Sequence, residues 1–179
     1  MIDARNYNVS ETLRNGLAVT IRAVRPDDKD KVVIGFQGLD RESVYTRLFR
    51  YKDELTEKDL KAITEVDFEN VVALVVTKGE RNNEEIIGGG RYVAYNAPDG
   101  LRKAEVAFTV EDDYHGLGIA SRILKHLTGI AHAKGVTAFE ADVLPENKAM
   151  LKVFAKSGLT VKETRVEDVV HVTMPLAGG

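Results

Sequence analysis

Ala104-Glu105-Val106-Ala107-Phe108-Thr109-Val110 runs directly into Glu111-Asp112-Asp113-Tyr114-His115-Gly116-Leu117-Gly118-Ile119-Ala120-Ser121. The first seven residues alternate in polarity and read as a strand. From Gly118 to Lys134 the pattern changes: Ile119, Ile123, Leu127 and Ile130 form the apolar stripe of an amphipathic helix. Two glycines and an alanine at such a strand-to-helix turn leave backbone N–H groups bare. Added to the partial positive charge of a helix N-terminus, they suit a phosphate or pyrophosphate. The same residues also read as a glycine turn that lets a helix pack closely on a strand. The residues alone leave both readings open.

Two other phosphate cradles match the residues poorly. A dinucleotide fingerprint wants a third small residue where Ser121 stands, in a βαβ unit near the start of the fold, whereas this strand ends a meander. A Walker loop wants a lysine after its last glycine, and Ile119 follows Gly118.

Working outward, Gly16 to Val24 alternates, with Leu17, Val19, Ile21 and Ala23 on one face, and reads as a strand. Arg25-Pro26-Asp27-Asp28 starts a helix with an early proline and acids complementing its dipole. Asp40 is an N-cap for a second helix through Val44 and Leu48. Thr56-Glu57-Lys58-Asp59 opens a third with a capping-box pattern. Asn70 to Lys78 is a β-branched run suited to a buried strand. Ile86 to Tyr95 and Leu101 to Val110 form a hairpin across Asn96-Ala97-Pro98-Asp99-Gly100. After the helix come a strand from Val136 to Val143, a helix from Asn147 to Lys156, and two strands, Leu159 to Glu163 and Val166 to Met174. Leu176 to Gly179 reads as a frayed end. The order β-ααα-βββ-α-β-α-ββ predicts an α/β fold with a mixed, mainly antiparallel sheet and helices on both faces.

The chain has 179 residues, 44% hydrophobic and 30% charged. That length supports one domain, residues 1–179, with a core from about 17 to 174. A net charge of -3 argues against a nucleic-acid binder. No apolar run reaches the ~20 residues of a membrane span, and the polar N-terminus carries no signal-peptide core. The absence of cysteine excludes disulfides, thiolate metal sites and a cysteine nucleophile, and fits a reducing cytoplasm. His126, His132 and His171 lack metal-ligand spacing, so no metal site is expected.

His115-Gly116-Leu117-Gly118-Ile119-Ala120 resembles the Q/R-x-x-G-x-G/A motif of the GNAT acetyltransferases, with histidine where glutamine or arginine is usual. Val143-Leu144-Pro145-Glu146-Asn147-Lys148-Ala149-Met150, followed by Phe154-Ala155-Lys156-Ser157-Gly158-Leu159, resembles a second segment of that family. Thr20 to Asp28, Asp40 to Phe49, and Ala104 to Val110 are similar to the bacterial protein lysine acetyltransferase (Pat) group. The resemblance spans about Leu17 to Met174. It implies a GNAT-like fold that binds acetyl-CoA. The 179 residues leave no room for the regulatory domains common in that group, so the chain is expected to be a stand-alone catalytic domain.

The resemblance places the pyrophosphate on the amides of Gly116, Leu117, Gly118, Ile119, Ala120 and Ser121, helped by His115. It sets the pantetheine arm along the backbone of Phe108 and Val110, and adds a contact from Asn147. Asn147 also reads as the N-cap of its helix, and His115 as an exposed turn residue. Glu105 stands where the Pat group has its catalytic glutamate, which implies a general base. Independently, Glu105 is a carboxylate in an apolar strand, sharing its face with the smaller Ala107 and Thr109. Partial burial would raise its pKa toward the range useful to a base. The competing reading pairs it with a cation such as Arg91 or Lys103. Many family members carry a tyrosine where this chain has Phe154. Tyr114, Tyr92 and Tyr45 are possible substitutes that spacing does not separate.

The function expected from the resemblance is acetyl-CoA-dependent acetylation of a protein lysine, such as one on an acyl-CoA synthetase. The alternatives are acetylation of a small amine, or a non-catalytic acyl-CoA-binding sensor. Asp53, Glu54, Glu57, Glu65, Asp67 and Glu69 read either as a lure for a cationic acceptor or as a solvated face.

Overall fold

The computed structural model describes residues 4–37, 56–80, 83–110, 114 and 116–176, with backbone alone for 35–37. The helix expected from Asp40, together with Tyr45, Asp53, Glu54 and His115, lies outside the described residues. Eight strands form one sheet: β1 (Asn8–Thr12), β2 (Ala18–Ala23), β3 (Val71–Lys78), β4 (Glu85–Asn96), β5 (Arg102–Val110), β6 (Ala138–Val143), β7 (Lys162–Val166) and β8 (Val169–Pro175). Their order is β1-β2-β3-β4-β5-β6-β8-β7. Every pairing is antiparallel except β5 with β6. The described helices are α1 (Lys29–Gln37), α2 (Glu57–Thr64), α3 (Ile119–Ala133) and α4 (Lys148–Ala155).

The expected mixed, mainly antiparallel architecture is the observed one. Val72 to Thr77 of β3 are buried in succession, so both faces of the sheet centre are covered. This is why that strand reads as a continuous apolar run rather than an alternation. The Thr56 capping box forms: the Thr56 hydroxyl accepts from the Asp59 N–H at 3.1 Å, and Asp59 accepts from the Thr56 N–H at 3.0 Å.

The structure differs from the sequence reading at both ends. β1 is an added edge strand. None of its residues is buried, so it carries no apolar period to read. The core extends to Ala4 and Leu13 at one end and to Leu176 at the other. Leu176 is 4% exposed, and its N–H donates to the Thr137 carbonyl at 2.9 Å. It is therefore anchored, not frayed. Asp28 does not simply complement a helix dipole. It is fully buried and grips the Arg22 guanidinium with both oxygens, at 2.8 and 2.9 Å.

Gly88-Gly89-Gly90 in β4 brings α3 unusually close to the sheet. A Cβ on Gly90 would lie 2.6 Å from Ile123 Cγ2 and 2.8 Å from Phe108 Cδ1, and one on Gly88 would lie 3.0 Å from Ile119 Cγ2. Glycine in a strand interior weakens the strand, and here it permits that approach. Gly90→Val is expected to cost about 1–3 kcal/mol by overpacking, read as a lower urea midpoint with an unchanged m-value. An unchanged midpoint would show that α3 shifts freely.

Candidate active site

β5 pairs with β4 from Arg102 to Val110. Its pairing with β6 covers only Lys103↔Ala138, Ala104↔Phe139 and Glu105↔Glu140. Beyond Glu105 the two parallel strands part while β6 continues on β8 to Val143. The parted strands, the N-terminus of α3 and the helix α4 enclose a cleft of about 270 Å³. At ~3.3 Å per residue, β5 carries its edge about 17 Å from Glu105 to Val110. The cleft thus suits an extended ligand lying along the free edge of β5.

At the end formed by the N-terminus of α3, Gly116 and Gly118 both have φ of +83°, a conformation strained for side-chain-bearing residues. A Cβ on Gly116 would meet no atom within 4 Å, so the backbone there is open. The helical ladder starts with Arg122 N–H donating to the Gly118 carbonyl at 3.1 Å. The amides of Ile119, Ala120 and Ser121 therefore have no intrahelical acceptor. Gly116, Gly118, Ile119, Ala120 and Ser121 line the cleft. Leu117 instead packs against the core. This geometry fits a pyrophosphate, and it also satisfies the close-packing reading, since Ile119 and Ile123 are buried against the glycines of β4.

Phe108, Val110 and Asn147 also line the cleft. Asn147 Oδ1 accepts from the Met150 N–H at 3.1 Å, so Asn147 is both the N-cap of α4 and part of the cleft wall. Phe154 is buried with its ring centroid 6.0 Å from that of Phe108. Of the tyrosines, Tyr92 is fully buried, its hydroxyl without a partner among the described residues and pushed by burial to about 12. Tyr114 lines the same cleft, past the end of β5.

At the opposite end Glu105 faces the cleft. Neither cation considered in the sequence reading neutralises it. Lys103 pairs with Asp99 at 3.7 Å. Arg91 acts on Glu105 only through space, without an ion pair among the described residues. Glu105 is exposed as a residue, yet its carboxyl is partly desolvated. That desolvation, with Asp142 and Glu140 nearby, raises its pKa against the opposing pull of Arg91 and His171.

Those neighbours were not visible in the sequence. Glu140 is the register partner of Glu105, and Asp142 is that of His171. His171 Nδ1 lies 2.7 Å from Asp142 Oδ1, and Nε2 lies 3.1 Å from Glu140 Oε2. The Tyr95 hydroxyl donates to Glu140. The Asp142 hydrogen bond, then the charges of Asp142 and Glu140, raise the His171 pKa. Strand alternation places each residue on a face, but only the β5–β6 and β6–β8 registers join them. By contrast, Glu65 pairs with Lys29 at 2.7 Å, and Asp67 accepts three backbone N–H groups at 2.9 Å. These acids serve the scaffold. Among the described residues no group of three or more His, Asp or Glu could hold a metal, and no helix is long and apolar enough to cross a membrane.

A family model described as the acetyltransferase (GNAT) domain matches residues 18–160. Acetyltransferase Pat of Mycolicibacterium smegmatis is 34% identical over 148 residues, 82% of this chain and 42% of that protein. The chain thus spans less than half the length of this relative. An acetyltransferase of Pseudomonas aeruginosa is 30% identical over 78% of this chain and 74% of its own. The crystal structure of the GNAT domain of S. lividans PAT superposes with a TM-score of 0.84 at 33% identity, covering 94% of this chain and 97% of that one.

Proposed function

Because this chain belongs to the GNAT acetyltransferase family, we propose that it transfers an acetyl group from acetyl-CoA to a protein lysine, with Glu105 as general base. The observation that carries this reading is the parting of β5 from β6 just past Glu105, which joins the carboxylate to the phosphate cradle through one cleft. The resemblance of Thr20 to Asp28 and Ala104 to Val110 to the protein lysine acetyltransferase group favours a protein acceptor, and an acyl-CoA synthetase is the first to try. A single catalytic domain acting in the cytoplasm is part of the same proposal.

In this account the cradle amides and Asn147 hold the pyrophosphate end, and the parted edge of β5 orients the arm. Acetyl-CoA supplies an acyl carbon bonded to a thiolate leaving group. Glu105 takes the proton that the lysine amine must lose, directly or through a water, as nitrogen bonds to that carbon and the carbon–sulfur bond breaks. Phe154 has no proton to give, so the leaving sulfur is protonated from water. Glu140 and Asp142 make the acceptor end acidic, which supports a cationic acceptor.

Glu105 acts only when ionised, so kcat/KM should fall as pH drops through its raised pKa. Protonated His171 offsets the push of Asp142 and Glu140 on Glu105. His171→Asn removes that cation, raises the Glu105 pKa further, and should move the acid limb of the profile to higher pH. A limb that stays in place or moves down contradicts this coupling.

The acceptor is tested by following CoA thiol release with an acyl-CoA synthetase, then with spermidine or free lysine. Faster release with the synthetase, and an acetylated lysine on it, supports the proposal. Release with small amines alone identifies a small-molecule acetyltransferase. Binding of acetyl-CoA without release identifies a sensor.

A further inference from the structure

The family's usual Gln or Arg at the head of the phosphate motif is histidine here, yet the structure brings an arginine to the same cradle from elsewhere. Arg14 stands at the tip of the β1–β2 hairpin and lines the cleft. Its guanidinium lies beside Gly118, with Nε, Nη2 and Cζ at 3.5, 3.6 and 3.7 Å from where a Cβ would be. Among the described residues no carboxylate pairs with it within 4 Å.

The hairpin is held in place from both sides. The Leu13 N–H donates to the Leu17 carbonyl and the Gly16 N–H to the Leu13 carbonyl, each at 2.9 Å. The Leu13 side chain is 3% exposed and anchors the turn in the core. β1 is tied to α3 itself: Arg122 Nη1 lies 2.5 Å from Glu11 Oε1, and His126, which also contacts the Tyr7 hydroxyl, bonds the other Glu11 oxygen. The hairpin that carries Arg14 is therefore fastened, through β1, to the helix whose N-terminus forms the cradle. An arginine fork beside bare amides matches the oxygens of a phosphoric anhydride.

We propose that Arg14 is a ligand-binding residue that clamps the CoA pyrophosphate against the N-terminus of α3, in place of the motif's usual side chain. This rests on the acetyl-CoA reading above. It is tested by calorimetry with CoA, with dephospho-CoA (which lacks the 3′-phosphate) and with pantetheine (which lacks the pyrophosphate). Arg14→Ala should weaken CoA and dephospho-CoA alike by about tenfold, as loss of one charge-assisted contact implies. Pantetheine binding should not change. Arg14→Lys should recover part of the loss, and the alanine variant should show a shallower salt dependence. Arg14 is exposed, so thermal unfolding should match wild type.

Equal CoA affinity in Arg14→Ala and wild type would overturn the proposal. So would a loss confined to CoA with dephospho-CoA unchanged, which moves the contact to the 3′-phosphate. A wild-type chain that binds no CoA overturns the acetyl-CoA reading itself, and is distinguished by being measured first.

Discussion

Glu105→Gln is expected to lower kcat by about a hundredfold to about ten-thousandfold, the range that general acid–base groups contribute. The amide keeps the size of the side chain but accepts a proton poorly. The Glu105 carboxyl faces the cleft and has no hydrogen bond or ion pair among the described residues. The substitution should therefore leave stability and acetyl-CoA affinity near wild type. That combination separates a base from a structural acid, whose loss would shift the unfolding midpoint. The variant should also lose the acid limb of the pH profile, because Gln does not titrate in that range. A variant with wild-type kcat at neutral pH would contradict the assignment.

The second large effect is on stability. Arg22, 3% exposed, is gripped by fully buried Asp28 at 2.8 and 2.9 Å and by Glu84 at 2.9 Å. Arg22→Met leaves the Asp28 carboxylate buried, with, among the described residues, the Arg25 backbone N–H alone, at 2.7 Å, still donating to it. Breaking such a pair from one side costs about 3–5 kcal/mol, a large share of the ~5–15 kcal/mol that holds a typical domain together. Adding Asp28→Leu should restore much of the loss, since a buried pair and an apolar replacement are often equivalent. If Arg22→Met unfolds at the wild-type urea midpoint, the pair is not a keystone.

The pH dependence has a definite sign. Burial alone would raise the Asp28 and Glu84 pKa values, but the hydrogen bonds and charge of Arg22 outweigh it, holding Asp28 low and Glu84 at about 2. Groups depressed in the folded state stabilise it above the ordinary carboxylate range. That contribution is lost as pH falls through their folded pKa values. The gap between wild type and Arg22→Met should be widest near neutrality and should close as the solution is acidified below about pH 4.

Much of this was legible in the sequence because period and turn chemistry act locally. The β5-to-α3 passage, the buried β3 run, the Thr56 box and the β4–β5 hairpin each follow from neighbours along the chain. β1 escaped because an edge strand with no buried residue leaves no apolar alternation. Arg22 and Asp28 escaped because their partnership depends on where the strand and the following turn meet in space.

The same division runs through the site. Glu105, the two glycines and Asn147 are marked by sequence motifs and fall together along one cleft. Arg14, Glu140, Asp142 and His171 enter through a hairpin tie and two strand registers that no local pattern records. Gly88-Gly89-Gly90 did carry a signal, since three successive glycines inside a strand mark a close backbone or helix approach.

The central claim is most directly tested by the rate of CoA thiol release from acetyl-CoA by the wild-type chain, with and without an amine acceptor. The acceptors would be an acyl-CoA synthetase, spermidine and free lysine. The account predicts release that saturates with acetyl-CoA and requires an acceptor, fastest with the protein. Saturable acetyl-CoA binding with no acceptor-dependent release from any of the three would contradict it.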